Sequence, residues 1–122
     1  MLSRIRAIRG LAAAAILASN LSMAHAGTVG GSTRTVEQVK ANITDVYNLS
    51  FIAGQEAVVD VKGDGDTDLD LYIYDSSGNL ITKDEDYTDH CVARWTPKWT
   101  GKFTIKVKNR GGVPNDYVMT TN

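Results

Sequence analysis

Apolar and polar residues alternate in several short runs of this chain. In the run LDLYIY, which begins at Leu69, every second residue is a large aliphatic one. Successive side chains of a β-strand point to opposite faces, so this alternation is typical of a strand with one buried face. Runs with the same period of two begin at Tyr47, Ala57, Cys91, Phe103 and Tyr117.

Turn-forming sequences separate these runs at intervals of about ten residues. They are rich in Gly, Asp, Ser and Asn, as in GDG from Gly63 and SSGN from Ser76. No stretch after residue 42 has a comparable helical periodicity. Many short strands joined by regular turns predict an all-β fold. We expect an antiparallel two-sheet β-sandwich of about seven or eight strands, because its apolar faces can meet across about 10 Å while its polar faces stay exposed.

The first 26 residues have the composition of a secretory signal peptide. Three arginines and no acidic residue occur within the first ten residues, and the apolar run LAAAAILAS follows. The AHA sequence that ends at Ala26 matches the small-residue pattern of a cleavage site. We therefore expect a secreted or periplasmic protein. No later run is apolar for about 18 residues, so no membrane span is expected.

The remaining residues have the length of a single domain. Residues 42–122 carry the strand pattern and are the predicted sandwich domain. Residues 27–41 begin with the Gly-rich sequence GTVGGS. We leave this segment open between a flexible lead-in and a first strand.

The expected mature chain is acidic. Residues 27–122 contain 10 basic and 14 acidic residues, which gives a net charge of 10 − 14 = −4. Nucleic acids and anionic membranes need a basic surface, so this balance argues against both as partners. Cys91 is the only cysteine, which excludes an internal disulfide. We expect Cys91 to be a small buried residue, and the alternative is a reactive thiol or an intermolecular bridge.

Carboxylates are concentrated in two segments. In the first, every second residue from 64 to 70 is Asp, and an EF-hand loop is excluded because its sixth position is not Gly. The second, DED, follows the next expected strand. Two acidic loops at one end of a sandwich would offer calcium its oxygen ligands, and the candidates are Asp68, Asp70, Asp84 and Asp86. The alternative is a solvated acidic edge neutralised by Lys83, Arg94, Lys102, Lys106 and Lys108.

Three aromatic residues, Tyr72, Tyr74 and Trp99, form the candidate binding surface. Tyr72 and Tyr74 should share the outward face of their strand if Leu71 and Ile73 point inward. Two outward rings on a flat sheet can stack on sugar rings or pack against a peptide. The alternative is that both rings pack against a neighbouring loop or the N-terminal segment. Trp99 lies in a turn, where it is expected to cap the end of the sandwich.

The sequence predicts that the protein is not an enzyme. We find no hydrolase, phosphate-loop or zinc-binding motif. His90 and Cys91 are adjacent, so on a strand they would point to opposite faces and could not form a nucleophile–base pair. A glycosidase would need a distinct buried carboxylate beside a second one, and the acidic segments offer none.

An ordered set of short motifs resembles the bacterial pre-peptidase C-terminal domain, which is related to the collagen-binding domains of collagenases. The motifs cover about residues 44–121 and are FIAGQ from Phe51, DLDLYIYD from Asp68, GNL from Gly78, WTP from Trp95, TGKFTIKV from Thr100 and NDY from Asn115. The resemblance implies a jelly-roll-like β-sandwich of the kind often appended to secreted proteases. Some relatives bind calcium near the DLDLY strand, and the acidic residues of that motif in this sequence are Asp68 and Asp70. No catalytic unit accompanies the motifs in this sequence.

Two functional hypotheses follow. The first is an exported, non-catalytic β-sandwich module that binds a polymer, either protein or polysaccharide, or a protein partner, with calcium as a stabilising ion. The second is a structural or chaperone-like accessory to a separately encoded secreted hydrolase, such as a protease.

Overall fold

The structure is a computed structural model that describes residues 27–122, and the predicted signal peptide at 1–26 lies outside the described residues. All regular elements of the described part are β-strands, which confirms the all-β prediction. Within this part no helix is long and apolar enough to cross a membrane. The strands, in chain order, are Thr33–Val39 (β1), Thr44–Phe51 (β2), Ala57–Lys62 (β3), Leu69–Asp75 (β4), Leu80–Asp84 (β5), His90–Trp95 (β6), Gly101–Asn109 (β7) and Asn115–Thr121 (β8).

The eight strands form two antiparallel four-stranded sheets. Sheet I has the strand order β1-β8-β3-β6, and sheet II has the order β2-β7-β4-β5. Of these eight strands, β4 and β5 are the only consecutive pair within one sheet, and every other connection crosses between the sheets. This arrangement is a jelly roll, in agreement with the predicted two-sheet sandwich.

The alternation in the sequence decides which face of each strand is buried. In β4, Leu69, Leu71 and Ile73 have 0% exposure, whereas Tyr72 and Tyr74 are partly exposed on the other face. The inward faces of both sheets supply one hydrophobic core. Because the core uses only these faces, the outer faces of the sheets are free to carry other groups.

The segment before β1 is attached to the sandwich. Thr28 forms a β-bridge with Phe51, and its amide donates to the carbonyl of Asn122 at 2.9 Å. The Thr28 hydroxyl donates to the Thr121 hydroxyl at 2.8 Å. Backbone groups of residues 27–29 thus pair with the ends of β2 and β8. Strand β1 occupies residues 33–39 of the segment that the sequence left open.

The topology collects loops at the two ends of the sandwich. One end carries the β1–β2, β3–β4, β5–β6 and β7–β8 connections. We call it the acidic end, because its loops at 63–68 and 85–89 are rich in carboxylates. The opposite end carries the β6–β7 loop at 96–100, which contains Trp99.

Three buried polar side chains connect the sheets inside the core. The Tyr47 hydroxyl on β2 lies 2.5 Å from the Tyr117 hydroxyl on β8. Tyr117 donates to the carboxylate of Asp45, also on β2, at 2.7 Å. Burial is the main cause that raises the pKa of Tyr117 far above its ordinary value, so its hydroxyl remains protonated.

Replacing Tyr117 with Phe should destabilise the fold. The variant keeps the ring but removes the hydroxyl between Tyr47 and Asp45, and loss of such a buried group costs about 1–3 kcal/mol. We expect the free energy of unfolding in urea to fall by that amount. Tyr87→Phe is the matched control, because Tyr87 is 95% exposed. Equal stability of the two variants would show that the network does not hold the sheets together.

Candidate functional site

The outer face of sheet II carries Tyr72 and Tyr74, the two tyrosines of the predicted binding surface. Their rings are stacked, with centroids 6.4 Å apart and planes inclined by 25°. Lys106 is the strand partner of Tyr72, and its ammonium lies 4.8 Å from the centre of the Tyr74 ring, within cation–π distance. We call this surface the tyrosine–lysine face, and it consists of Tyr72, Tyr74, Lys83, Lys102, Lys106 and Lys108.

The Tyr72 hydroxyl links this face to the acidic end. It donates to Glu85 at 2.5 Å and lies 3.3 Å from Asp70 Oδ2. Glu85 also accepts from Lys83 at 2.7 Å, and these two donors hold the pKa of Glu85 below its ordinary value. Burial and the bond to Glu85 raise the pKa of Tyr72, so its hydroxyl stays a donor. The Tyr72 hydroxyl is therefore bound to the β5–β6 loop through Glu85.

The lysines of β7 do not neutralise the acidic end. Lys102, Lys106 and Lys108 form no ion pair within residues 27–122. Lys108 is the strand partner of Asp70, but Arg110 holds that carboxylate instead, with Nη1 at 3.2 Å from Oδ2. Apart from the contact of Lys106 with the Tyr74 ring, the charges of the three β7 lysines are thus left to solvent or to a partner.

Asp84 and Asp86, two of the four candidate calcium ligands, shape the β5–β6 loop. Asp84 accepts the backbone N–H groups of Asp86 at 3.4 Å and Val92 at 2.9 Å. Asp86 accepts from the amide and the hydroxyl of Thr88 at 3.0 and 2.9 Å. Asp84 consequently ties the edge strand β5 to the edge strand β6, and both of its oxygens are used.

Asp68 and Asp70, the other two candidates, each have a buried Oδ1 atom without a hydrogen-bond partner. Asp70 is 2% exposed, and only its Oδ2 is held by Arg110. Arg110 is kept beside both, because its amide donates to the Asp68 carbonyl at 3.0 Å. Burial, followed by the charge of Asp70, raises the pKa of Asp68. Buried carboxylate oxygens without partners are costly, so this corner suits a bound cation.

The four predicted ligands are not gathered into one cluster. Within residues 27–122, no group of three or more His, Cys, Asp or Glu side chains is arranged to hold a metal ion. Asp84 and Asp86 are instead engaged by other donors, Asp84 by the amides of Asp86 and Val92 and Asp86 by Thr88. The donor set of Asp68 and Asp70 fits calcium chemically but supplies only part of its shell.

Trp99 lies apart from the tyrosines, in the β6–β7 loop. It is 54% exposed and lines a cavity of about 250 Å³, which we call the tryptophan pocket. Trp95 and Phe103 also line it, with ring centroids 5.5 Å apart. Neither Tyr72 nor Tyr74 lines this pocket. The aromatic residues predicted as one surface thus form two, because the Trp99 loop lies at an end of the sandwich rather than on a sheet face.

Cys91 and His90 lie on opposite sides of β6. Cys91 is buried, and its thiol donates to the Leu69 carbonyl at 3.0 Å. His90 is exposed, with Nε2 3.2 Å from Asp60. Burial, followed by the charge of Asp84, raises the pKa of the Cys91 thiol and disfavours the thiolate. The geometry provides no Cys–His pair here, and the expected small buried cysteine is observed.

Sequence reasoning missed Arg110 and Glu85 as members of the site. Arg110 pairs with Asp70, which is 40 positions away in the chain, and Glu85 of the β5–β6 loop accepts from Tyr72. Only the β4–β7 register, which the sequence does not reveal, would have placed Arg110 beside Asp68 and Asp70.

Comparisons with known proteins show the fold and leave the family open. No protein-family model matches the chain, and no curated protein matches it. The pre-peptidase C-terminal domain of collagenase from Bacillus anthracis matches with a TM-score of 0.58 at 16% identity, over 73% of this chain and 89% of that one. PliG from Aeromonas hydrophila, a periplasmic inhibitor of g-type lysozyme, matches with a TM-score of 0.56 at 15% identity, over 79% and 86%. A Yersinia pseudotuberculosis-derived mitogen matches with a TM-score of 0.59 at 10% identity, over 75% and 84%.

At these identities the likeness is one of fold. The resemblance to the pre-peptidase C-terminal domain, predicted from short motifs, is confirmed at that level. This chain shares its β-sandwich fold with that domain of a bacterial collagenase.

The burial of Cys91 predicts that its thiol resists labelling in the folded protein. We expect Ellman's reagent to react at least about 100-fold more slowly in buffer than in urea, because reaction requires unfolding of β6. The double variant C91S/S76C is the matched control, because Ser76 lies in the exposed β4–β5 turn. Equally fast labelling of both proteins in buffer would contradict the packing of Cys91.

Proposed function

We propose that this chain is an exported, non-catalytic binding module. Its tyrosine–lysine face holds an extended polymer, either a protein or a polysaccharide, or a protein partner. The observation that carries the proposal is the stacked pair of Tyr72 and Tyr74 beside Lys106 on an outer sheet face. β4 is paired on both sides, with β5 and β7, so the rings stand on rigid backbone. Rigid aromatic side chains provide contact area at a low entropic cost.

The absence of catalysis and the location outside the cytoplasm have separate support. The separation of His90 and Cys91 on opposite strand faces argues against a thiol enzyme. The arginine-led apolar N-terminus with its AHA sequence supports export. By its name, the fold neighbour PliG is a periplasmic inhibitor, so a non-catalytic role outside the cytoplasm is compatible with this fold.

The second candidate function is that of an accessory to a separately encoded secreted hydrolase. The tryptophan pocket favours it, because a concave apolar cavity suits a side chain that projects from a folded partner. Co-purification with secreted proteases, lost in Trp99→Ala and kept in Tyr74→Ala, would support this function over polymer binding.

Calcium is proposed as a stabilising ion at Asp68 and Asp70. Their buried Oδ1 atoms are hard anionic oxygens without partners. Calcium takes about 6 to 8 oxygens, so backbone carbonyls and water would complete the shell. Asp84 and Asp86 would join only if their loop contacts opened. Arg110 competes with the ion, because its guanidinium already holds Asp70.

Removing the ring of Tyr74 should weaken polymer binding. We expect Tyr74→Ala to lower the affinity about 30-fold, because an aromatic anchor at the centre of an interface contributes about 2 kcal/mol. Sedimentation with insoluble collagen, chitin, cellulose and peptidoglycan measures the bound fraction. Tyr87→Ala is the matched control on the exposed β5–β6 loop. Equal binding by the two variants would show that Tyr74 does not contribute to polymer binding.

Calcium in the millimolar range should raise the melting temperature of protein first stripped by a chelator. At a hundredfold excess over Kd, a ligand specific to the folded state adds about 2.7 kcal/mol. For a domain of this size, that corresponds to about 10 °C or more.

The expected variant behaviour localises the ion. Asp68→Asn should abolish the rise in melting temperature. Asp60→Asn should keep it, because Asp60 pairs with His90 on the other sheet. If the stripped unsubstituted protein shows no rise, calcium plays no part, and Arg110 is the counter-charge of Asp70.

A further inference from the structure

We infer that the partner held by the tyrosine–lysine face is an acidic polypeptide segment in extended conformation. The inference rests on the proposed binding function and adds the chemical class of the partner. It is drawn from the charge and the spacing of the side chains on this face.

The charge of the face comes from three lysines that form no ion pair. Lys102, Lys106 and Lys108, the β7 lysines, have no acidic partner within residues 27–122. Asp70, the strand partner of Lys108, is already held by Arg110, and Glu85 is held by Lys83. The face therefore presents an excess of positive charge on a chain whose net charge from residue 27 onward is negative. A partner of opposite charge is attracted to this face and repelled by the rest of the surface.

The basic groups on the outer face of sheet I are arranged differently. There, His90 lies 3.2 Å from Asp60, and Arg94 lies 3.4 Å from Glu56. Arg34 and Lys62 also lie on that face and form no ion pair within residues 27–122, but they belong to different strands, β1 and β3. On β7, by contrast, three lysines without an acidic partner lie in one outward row along a single strand.

The spacing of the lysines favours a polypeptide over other anionic chains. Lys106 and Lys108 are two residues apart on one strand, which separates them by about 6.8 Å, and Lys102 lies about two such steps beyond Lys106. Same-side residues of an extended peptide recur at the same distance of about 6.8 Å. Acidic residues at every second position of such a peptide therefore have the same spacing as the lysines of the row. The repeat distance of a sugar polymer, in contrast, is not set by the geometry of a β-strand.

The surroundings of the row accept such a segment. On one side, Lys102 and Lys108 face the neutral Ser50 and Thr44 of β2. On the other side, Tyr72 and Tyr74 repeat with the same two-residue step and offer ring surface to the uncharged side of the segment. The whole face thus has the periodicity of one extended chain lying along β7.

The test uses a fluorescein-labelled peptide of about ten residues in which Glu and Thr alternate, titrated by fluorescence anisotropy at low salt. We expect saturable binding that weakens as salt rises, because the contacts are exposed ion pairs. The triple variant K102Q/K106Q/K108Q should lose about tenfold in affinity. The matched control K40Q/K62Q/K98Q carries the same charge change at exposed sites elsewhere and should lose less than about twofold. Thermal melts should be the same for both triple variants, since none of the six lysines is buried.

Other outcomes would overturn the inference. Equal losses in the two triple variants would mean that net charge alone attracts the peptide. Tighter binding of polygalacturonate than of the peptide would assign the face to an anionic polysaccharide. Polymer binding that depends on Tyr74 but not on the β7 lysines would keep the proposed function and reject the acidic segment.

Discussion

The burial of one face of every central strand against the opposite sheet is the constraint from which the rest of this structure follows. Leu71 and Ile73 fix the inward face of β4, so Tyr72 and Tyr74 must point outward, because side chains of a strand alternate with a period of two. The same rule turns the β7 lysines toward the same side. A slip of one residue in register would bury these polar groups and expose the core, which makes this arrangement strongly specified.

The jelly-roll topology then joins two chemically different regions. Asp70 lies in the same outward row of β4 as Tyr72 and Tyr74, yet it is buried, because Arg110 and Tyr72 cover it. Its carboxylate therefore contacts Arg110 at the acidic end and Tyr72 on the tyrosine–lysine face. Asp70 thus connects the acidic end to the tyrosine–lysine face. A cation bound by Asp70 would share this carboxylate with the Tyr72 hydroxyl.

The sequence predicted what depends on local alternation and did not predict what depends on loops. The strands after β1, the orientation of Tyr72 and Tyr74 and the burial of Cys91 follow from residue spacing along one strand. The use of Asp84 as a link between β5 and β6 depends on the path of the β5–β6 loop. The pairing of Arg110 with Asp70 depends on strand order, which no periodicity encodes. Trp99 was grouped with the tyrosines by residue type alone.

We propose that the tyrosine–lysine face holds the partners of this protein. The most direct measurement is the NMR spectrum of the tyrosine rings, tryptophan indoles and lysine side chains, with and without a bound partner. The account predicts that shifts concentrate at Tyr72, Tyr74 and the β7 lysines and leave Trp99 unchanged. Shifts confined to Trp99 and the tryptophan pocket, or to the outer face of sheet I, would contradict it.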